Sequence, residues 1–284
     1  MKKDTNIDRR AFLKASGIAV TGTLASPLIS SAAGLKNQSL QVWSCGGLAE
    51  AMIPANQAFE KETGAKIAYT GAFAAALGKS LLGSATTEVF APRVVDLAKK
   101  LKSEGKMLWF KPLCFTKYVL VTPKGNPARI QGIADLARPG VRVVLTPGAS
   151  APGGEASLII LDKAGVLEQA RKNAVFNGDC VQTAMAELVK GTGDVAVMEL
   201  RLTRIPDFQG RAEAIDIPEE FIPGKPVPFT IGMMKWAQNR ELAEHYIEFI
   251  LSEQGQACFE RAGFIPALSD EGRRLTQKYG VIDA

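Results

Sequence analysis

The chain has 284 residues, 46% hydrophobic and 22% charged, which excludes a disordered tail, a collagen-like fibre and a small disulfide scaffold. Its 34 Lys and Arg against 29 Asp and Glu give a formal charge of +5. Residues 1–33 hold five of those cations against two acids, leaving +2 on the rest; a near-neutral body lacks the clustered cation that a phosphate-tracking surface needs, so no nucleic-acid partner is expected.

The first segment reads as an address. Arg9 and Arg10 lie in DRRAFLK (8–14), a weakly apolar stretch follows over 15–29, and SSAAG (30–34) offers Ser31 and Ala33 as a small-residue cleavage site. The arginine pair with Phe12, Leu13 and Lys14 resembles the twin-arginine export signal, although Asp8 stands where Ser or Thr is commoner. The stretch is too short and polar to span a bilayer. Cleavage after Ala33 leaves a soluble, periplasmic chain beginning at Gly34, with no Cys there for a lipid anchor, and twin-arginine export machinery is an expected partner.

Beyond it, strand-like and helical patterns alternate. LQVWSC (40–45) reads as a strand ending at Gly46–Gly47, and Leu48, Met52, Ala55 and Phe59 recur at helical spacing until Gly64. AKIAY (65–69) predicts a second strand, and an Ala- and Leu-rich helix after Gly71 runs to Leu82. VFAPRVVDLAKKL (89–101) passes from strand to helix. KYVLVTP (117–123) is strongly β-prone and is stopped by the turn KGNP. A short helix at 133–136, a strand at 141–145 and the loop TPGASAPGG (146–154) lead into a helix over 158–164. A helix at 181–190, strands at 194–198, 213–217 and 227–232, and a helical C-terminus follow, with Ser252 as N-cap and Gly263 past the end of the last long helix. Strand, tight turn and helix in repetition predict parallel α/β units. Two β-rich crossings, near 111–123 and 222–232, fit two lobes joined by two strands. Ligands in such folds sit outside strand carboxyl ends, which points to five loops: 44–48, 71–76, 90–94, 148–154 and 198–201.

The first four of these loops are rich in small residues and open helices, whose free N–H groups can together hold an anion; Gly and Ala also serve tight turns and close packing. No nucleophile–base set stands out. His245, the only histidine, lies on an amphipathic helix, so triads and His-rich zinc sites are excluded. There is no GK[ST] phosphate loop and no GxGxxG. Cys45, Cys114, Cys180 and Cys258 form no CxxC. Cys258 reads as packing; Cys45, Cys114 and Cys180 could approach the cleft as scattered small hydrophobes, as one disulfide pair, or as ligands for a soft metal.

FEKETGAKI (59–67), EVFA (88–91), YVLVTPKGNP (118–127), DLARPGVRVVL (135–145), APGGEA (151–156), IPEEF (217–221) and LSEQGQACFERAGF (251–264) together resemble the molybdate- and tungstate-type periplasmic substrate-binding proteins of ABC importers, over most of residues 40–268. The resemblance implies an α/β, two-lobed periplasmic-binding-protein-like fold with two crossing strands as hinge and the second lobe inserted in the first. Lobe I is then 34–117 with 230–284, and lobe II 118–229. It implies a monomer that captures a small inorganic anion and delivers it to a membrane permease and ATPase, with no cofactor and no enzymatic activity. The family holds its oxyanion with serine hydroxyls and backbone N–H groups. Those serines fall here on Gly47 and on Ala74 or Ala75, the family tyrosine near the hinge falls on Glu199, and Pro92 and Arg93 follow Ala91.

The expected ligand-binding residues are therefore Cys45, Gly46, Gly47, Ala74, Ala75, Ala91, Arg93, Pro152, Gly153 and Glu199, around an oxyanion that is molybdate or tungstate by default. The alternative is a soft metal held by Cys45, Cys114, Cys180 and Glu199. A third reading, an enzyme using a cleft cysteine as nucleophile, lacks a partner base.

Overall fold

The structure, a computed structural model, describes residues 35–149 and 153–283. The expected signal segment 1–33, the expected cleavage point and Pro152 lie outside the described residues.

The chain begins with β1 (Ser39–Cys45), a single 3₁₀ turn (Gly46–Leu48) and α1 (Ala49–Thr63). α1 buries Ala51, Met52, Ala55, Asn56 and Phe59, and Gly64 ends it at φ 72°, a left-handed conformation that costs glycine nothing. β2 (Lys66–Ala72), α2 (Ala74–Leu82), β3 (Val89–Ala91), α3 (Val95–Ser103) and β4 (Met107–Thr116) complete the first segment. The middle segment holds β5 (Tyr118–Pro123), β6 (Val143–Leu145), α4 (Gly153–Lys163), α5 (Leu167–Lys172), β7 (Ala174–Asn177), α6 (Val181–Val189), β8 (Ala196–Glu199) and β9 (Ala212–Asp216). The chain then returns through β10 (Pro228–Met234), α7 (Arg240–Leu251), α8 (Glu253–Arg261), β11 (Phe264–Pro266) and α9 (Asp270–Lys278).

Two sheet systems result. The first has the order β11-β4-β10-β3-β1-β2. β1 runs parallel to β2 and β3, as the α/β reading requires. β10 is antiparallel to β3 and β4, and β11 is antiparallel to β4, so in this sheet the parallel α/β units are the β1, β2 and β3 part. In the second, β5 lies between β8 and β9, antiparallel to both; β6 pairs with β7 in parallel, and a bridge from Val143 to Val195 ties this pair to the strand leading into β8. Every strand of the second system falls between two stretches of the first. The chain thus crosses twice: through Lys117 alone between β4 and β5, and through residues 217–227 between β9 and β10. This is the inserted, two-lobed architecture.

The first sheet packs its core against α1, α7 and α8, with Phe59 edge-on to Tyr246 at 5.3 Å and Phe229 edge-on to Phe264 at 5.7 Å. Tyr246 is fully buried, and its hydroxyl donates to Asn56 Oδ1 at 2.6 Å, as a buried phenol requires. A second buried cluster joins Phe90, Phe110 and Phe115 to Leu120, Val143, Ile160 and Val197 across both systems. Ser252 caps α8 by accepting from the Gly255 N–H at 3.3 Å, and Gly263 lies past its end at φ 86°. α8 is not the last helix: β11 and α9 follow it. Among the described residues no helix is long and apolar enough to cross a membrane.

Candidate functional site

The ends of β3 and β8 and the turn after β1 meet where the two sheet systems face each other. After β3, the backbone of Arg93 bridges to Phe229, and Val94 adopts φ 76°. A β-branched residue there is strained by roughly 1–3 kcal/mol; the turn it makes starts α3 just after Arg93, which lies inside the protein. The Arg93 guanidinium, 6% exposed, uses its donors fully on one side. Nε donates to the Pro226 carbonyl at 2.8 Å, and Nη2 donates to the Tyr118 hydroxyl at 2.8 Å and pairs with Glu199 Oε1 at 2.7 Å. Its plane also rides over the Phe229 ring, 5.2 Å from the centroid.

Tyr118 and Glu199 are direct cross-strand partners in the β5–β8 ladder, so the sheet register itself places hydroxyl and carboxylate side by side. Two residues on, Arg201 Nε donates to Glu199 Oε2 at 2.6 Å, and its Nη1 lies 3.5 Å from Glu50 Oε1 in the first turn of α1. One carboxylate is thus clamped by two guanidiniums, with a second carboxylate at the edge. Glu199 is 7% exposed and Arg201 11%.

The electrostatics are those of a buried network. Burial alone would raise the Glu199 carboxyl, but Arg93 and Arg201 overcome it and hold the group at about 2. Burial pushes the Tyr118 phenol up, and Tyr69, bonded to Ser44 Oγ at 2.7 Å, is pushed up to about 12 by burial. Buried charges persist only when paired and hydrogen-bonded, and both oxygens of Glu199 are.

Small residues complete the wall. A Cβ on Gly47 would stand 3.6 Å from the Arg201 guanidinium, and one on Gly153 would stand 3.7 Å from Glu199 Oε1. The turn after β1 and the start of α4 therefore lie against the two charged groups. Gly46 packs on the Ala72 backbone. Cys45 is buried at the end of β1; burial raises its thiol, and Arg93, Glu199 and Arg201 act on it electrostatically. Ala91 is buried one strand over, in register with Ser44.

The structure thus brings together Gly47, Arg93, Gly153 and Glu199, with Cys45, Gly46 and Ala91 in the strand ends behind them. Ala74 and Ala75 open α2, Ala75 exposed, and the charged contacts involve neither. The alternative metal quartet is not assembled. Cys114 is wholly buried in the core, Cys180 is exposed at the start of α6, and all four cysteines are free thiols. Among the described residues no group of three or more His, Cys, Asp or Glu is placed to hold a metal ion. The contacts also bring in four residues that sequence reading missed: Tyr118, Arg201, Glu50 and Pro226. Arg201 was discoverable, since it lies in a loop already singled out, two residues past Glu199. Tyr118 needed the strand register, and Glu50 needed the tertiary contact.

Residues 40–265 match the family of bacterial extracellular solute-binding proteins. The chain belongs to that family. The molybdate-binding protein ModA of Mycobacterium tuberculosis is 24% identical over 230 residues, covering 80% of this chain and 84% of that protein. Among solved structures, the periplasmic molybdate-binding protein of Azotobacter vinelandii superposes with a TM-score of 0.65 at 19% identity, over 80% of this chain and 98% of its own. Iron-bound HitA of Pseudomonas aeruginosa does so with a TM-score of 0.61 at 17% identity, over 81% and 86%. These likenesses establish the two-lobed fold of this solute-binding protein, and a fold of this kind hosts many ligands.

Proposed function

We propose that this solute-binding protein is the capture component of an ABC importer, exported beyond the cytoplasmic membrane. Its solute is a small oxyanion, taken where Arg93 and Arg201 converge between the lobes. It works by binding, without turnover, and hands its solute to a membrane permease coupled to an ATPase. The observation that carries this reading is the clamp itself. Two guanidiniums, 6% and 11% exposed, enclose an oxyanion-shaped group, the Glu199 carboxylate, with the Gly47 and Gly153 backbones alongside. Arginine forks are the side chains best matched to such groups. The molybdate-binding relatives support the ligand class. The hydroxyl positions expected of that family fall here on Gly47 and on Ala74 or Ala75, so guanidinium donors replace hydroxyl donors.

Calorimetry and thermal-shift measurements on residues 34–284 with molybdate, tungstate, sulfate, phosphate and glycolate test this. Saturable one-site binding of at least one anion, abolished in Arg201→Ala, is expected. Absence of binding by all five overturns it.

A further inference from the structure

The clamp leaves particular atoms unused, and their signs constrain the solute. Glu50 Oε2 is buried and has no hydrogen-bond partner, although its sister oxygen lies 3.5 Å from Arg201 Nη1. On Arg201, Nε serves Glu199 and Nη1 faces Glu50, while the guanidinium lies over Gly47 with Nη2 among the nearest atoms; among the described residues no contact uses Nη2. A cationic N–H donor and a carboxylate acceptor, neither used within the protein, thus belong to one ion pair, Arg201 with Glu50, beside Gly47. The four charged groups, Arg93, Arg201, Glu199 and Glu50, sum to zero.

A fully ionised dianion can use the donor but not the acceptor. It would face Glu50 Oε2 oxygen against oxygen, leaving that buried acceptor unpaired and repelled. A solute that carries both an oxyanion and its own O–H satisfies both sides: the oxyanion takes the Arg201 N–H and the hydroxyl donates to Glu50 Oε2. Sites whose buried polar groups demand a particular donor reject analogues lacking it, because the analogue leaves that group unpaired.

Resting on the oxyanion reading above, we propose that Glu50 and Arg201 together select an oxyanion bearing a hydroxyl donor, of the hydrogen phosphate or α-hydroxycarboxylate kind, over the fully ionised tetrahedral dianions sulfate and molybdate. Glu50 is the specificity-determining residue, and Arg201 supplies the charge that any oxyanion needs.

The test uses the mature chain at pH 7.5 with four probes: inorganic phosphate, glycolate, sulfate and molybdate. Sulfate and phosphate are nearly the same size and differ chiefly in the proton. Phosphate, glycolate or both are expected to bind at least about 100-fold more tightly than sulfate and molybdate, the scale of one unsatisfied buried group. Tight phosphate with weak glycolate identifies the tetrahedral acid, and the reverse the hydroxy acid. Glu50→Gln, which can donate as well as accept, is expected to cut this preference at least tenfold, chiefly by gaining affinity for sulfate and molybdate. Sulfate or molybdate binding as tightly as the other two overturns the selection while leaving the oxyanion reading intact. Failure of all four to bind overturns both. The wild-type panel alone decides the matter if Glu50→Gln does not fold.

Discussion

Replacing Glu199 with Gln separates what the clamp does for the fold from what it does for a ligand. The substitution keeps the side-chain shape but leaves the Arg93 and Arg201 guanidiniums, 6% and 11% exposed, without their shared counter-charge. The native carboxyl titrates at about 2, against 4.5 for the free group. Each tenfold change in acidity corresponds to about 1.4 kcal/mol, so the pairing contributes on the order of 3 kcal/mol at neutral pH. That agrees with the roughly 3–5 kcal/mol typical when a buried pair loses one partner. In a chain of this size it lowers the melting temperature by about 6–12 °C. Because the folded carboxyl is more acidic than the unfolded one, this contribution is complete above about pH 4.5. It drains away as the pH falls towards 2, so the gap between wild type and Glu199→Gln closes over that window. Chemical denaturation at pH 7, 4 and 3 measures it. The same variant is expected to bind a small oxyanion more tightly than wild type, since the ligand then takes the place of the lost carboxylate. A stability loss below about 1 kcal/mol at pH 7 refutes the claim that both guanidiniums depend on Glu199.

Other features give independent outcomes. Cys180 is exposed, with its thiol lowered by the Thr183 backbone N–H, whereas burial raises Cys45 and Cys114; native protein at pH 7.5 should therefore show one fast thiol in an Ellman assay, abolished by Cys180→Ser. A Cβ on Gly272 would fall 1.9 Å from the Pro266 carbonyl oxygen, so Gly272→Ala should cost about 1–3 kcal/mol or more in denaturant midpoint. Val94→Gly relieves the positive φ at the start of α3 and should hold or raise stability by up to about 1 kcal/mol in spite of the lost methyls; a loss above that contradicts the strain argument. Tyr246→Phe removes the hydroxyl bonded to Asn56 Oδ1 and should cost about 1–2 kcal/mol.

Much of the fold was legible because hydrophobic period and turn chemistry agree locally. α1 ends at Gly64 and α8 begins after Ser252, as their caps dictate. What escaped was non-local. The antiparallel pairing of β4, β10 and β11 unites residues more than a hundred apart in sequence, and no local pattern encodes which apolar run lies beside which. β7 and β11 are too short to show a period. At the site, Arg93, Gly47, Gly153 and Glu199 could be anticipated from strand ends and from the family resemblance. Tyr118 and Glu50 could not, because the pairing of Tyr118 with Glu199 is a fact of register and the reach of Glu50 towards Arg201 is a fact of how the two lobes meet. The cysteines show the opposite limit: residue type suggested a metal set, and only three-dimensional placement dispersed it.

The crossing at Lys117 carries a mechanical implication. A single residue separates β4 from β5, while the return path has the whole of 217–227 to yield. Turning one lobe relative to the other therefore twists the torsions around Lys117 first, with the longer strap following. The Lys117 carbonyl also accepts the Leu200 N–H at 2.8 Å, one residue from Glu199 and one from Arg201. The pivot and the gripping side chains are in effect two ends of one short lever, so swinging the lobes apart also re-aims the grip.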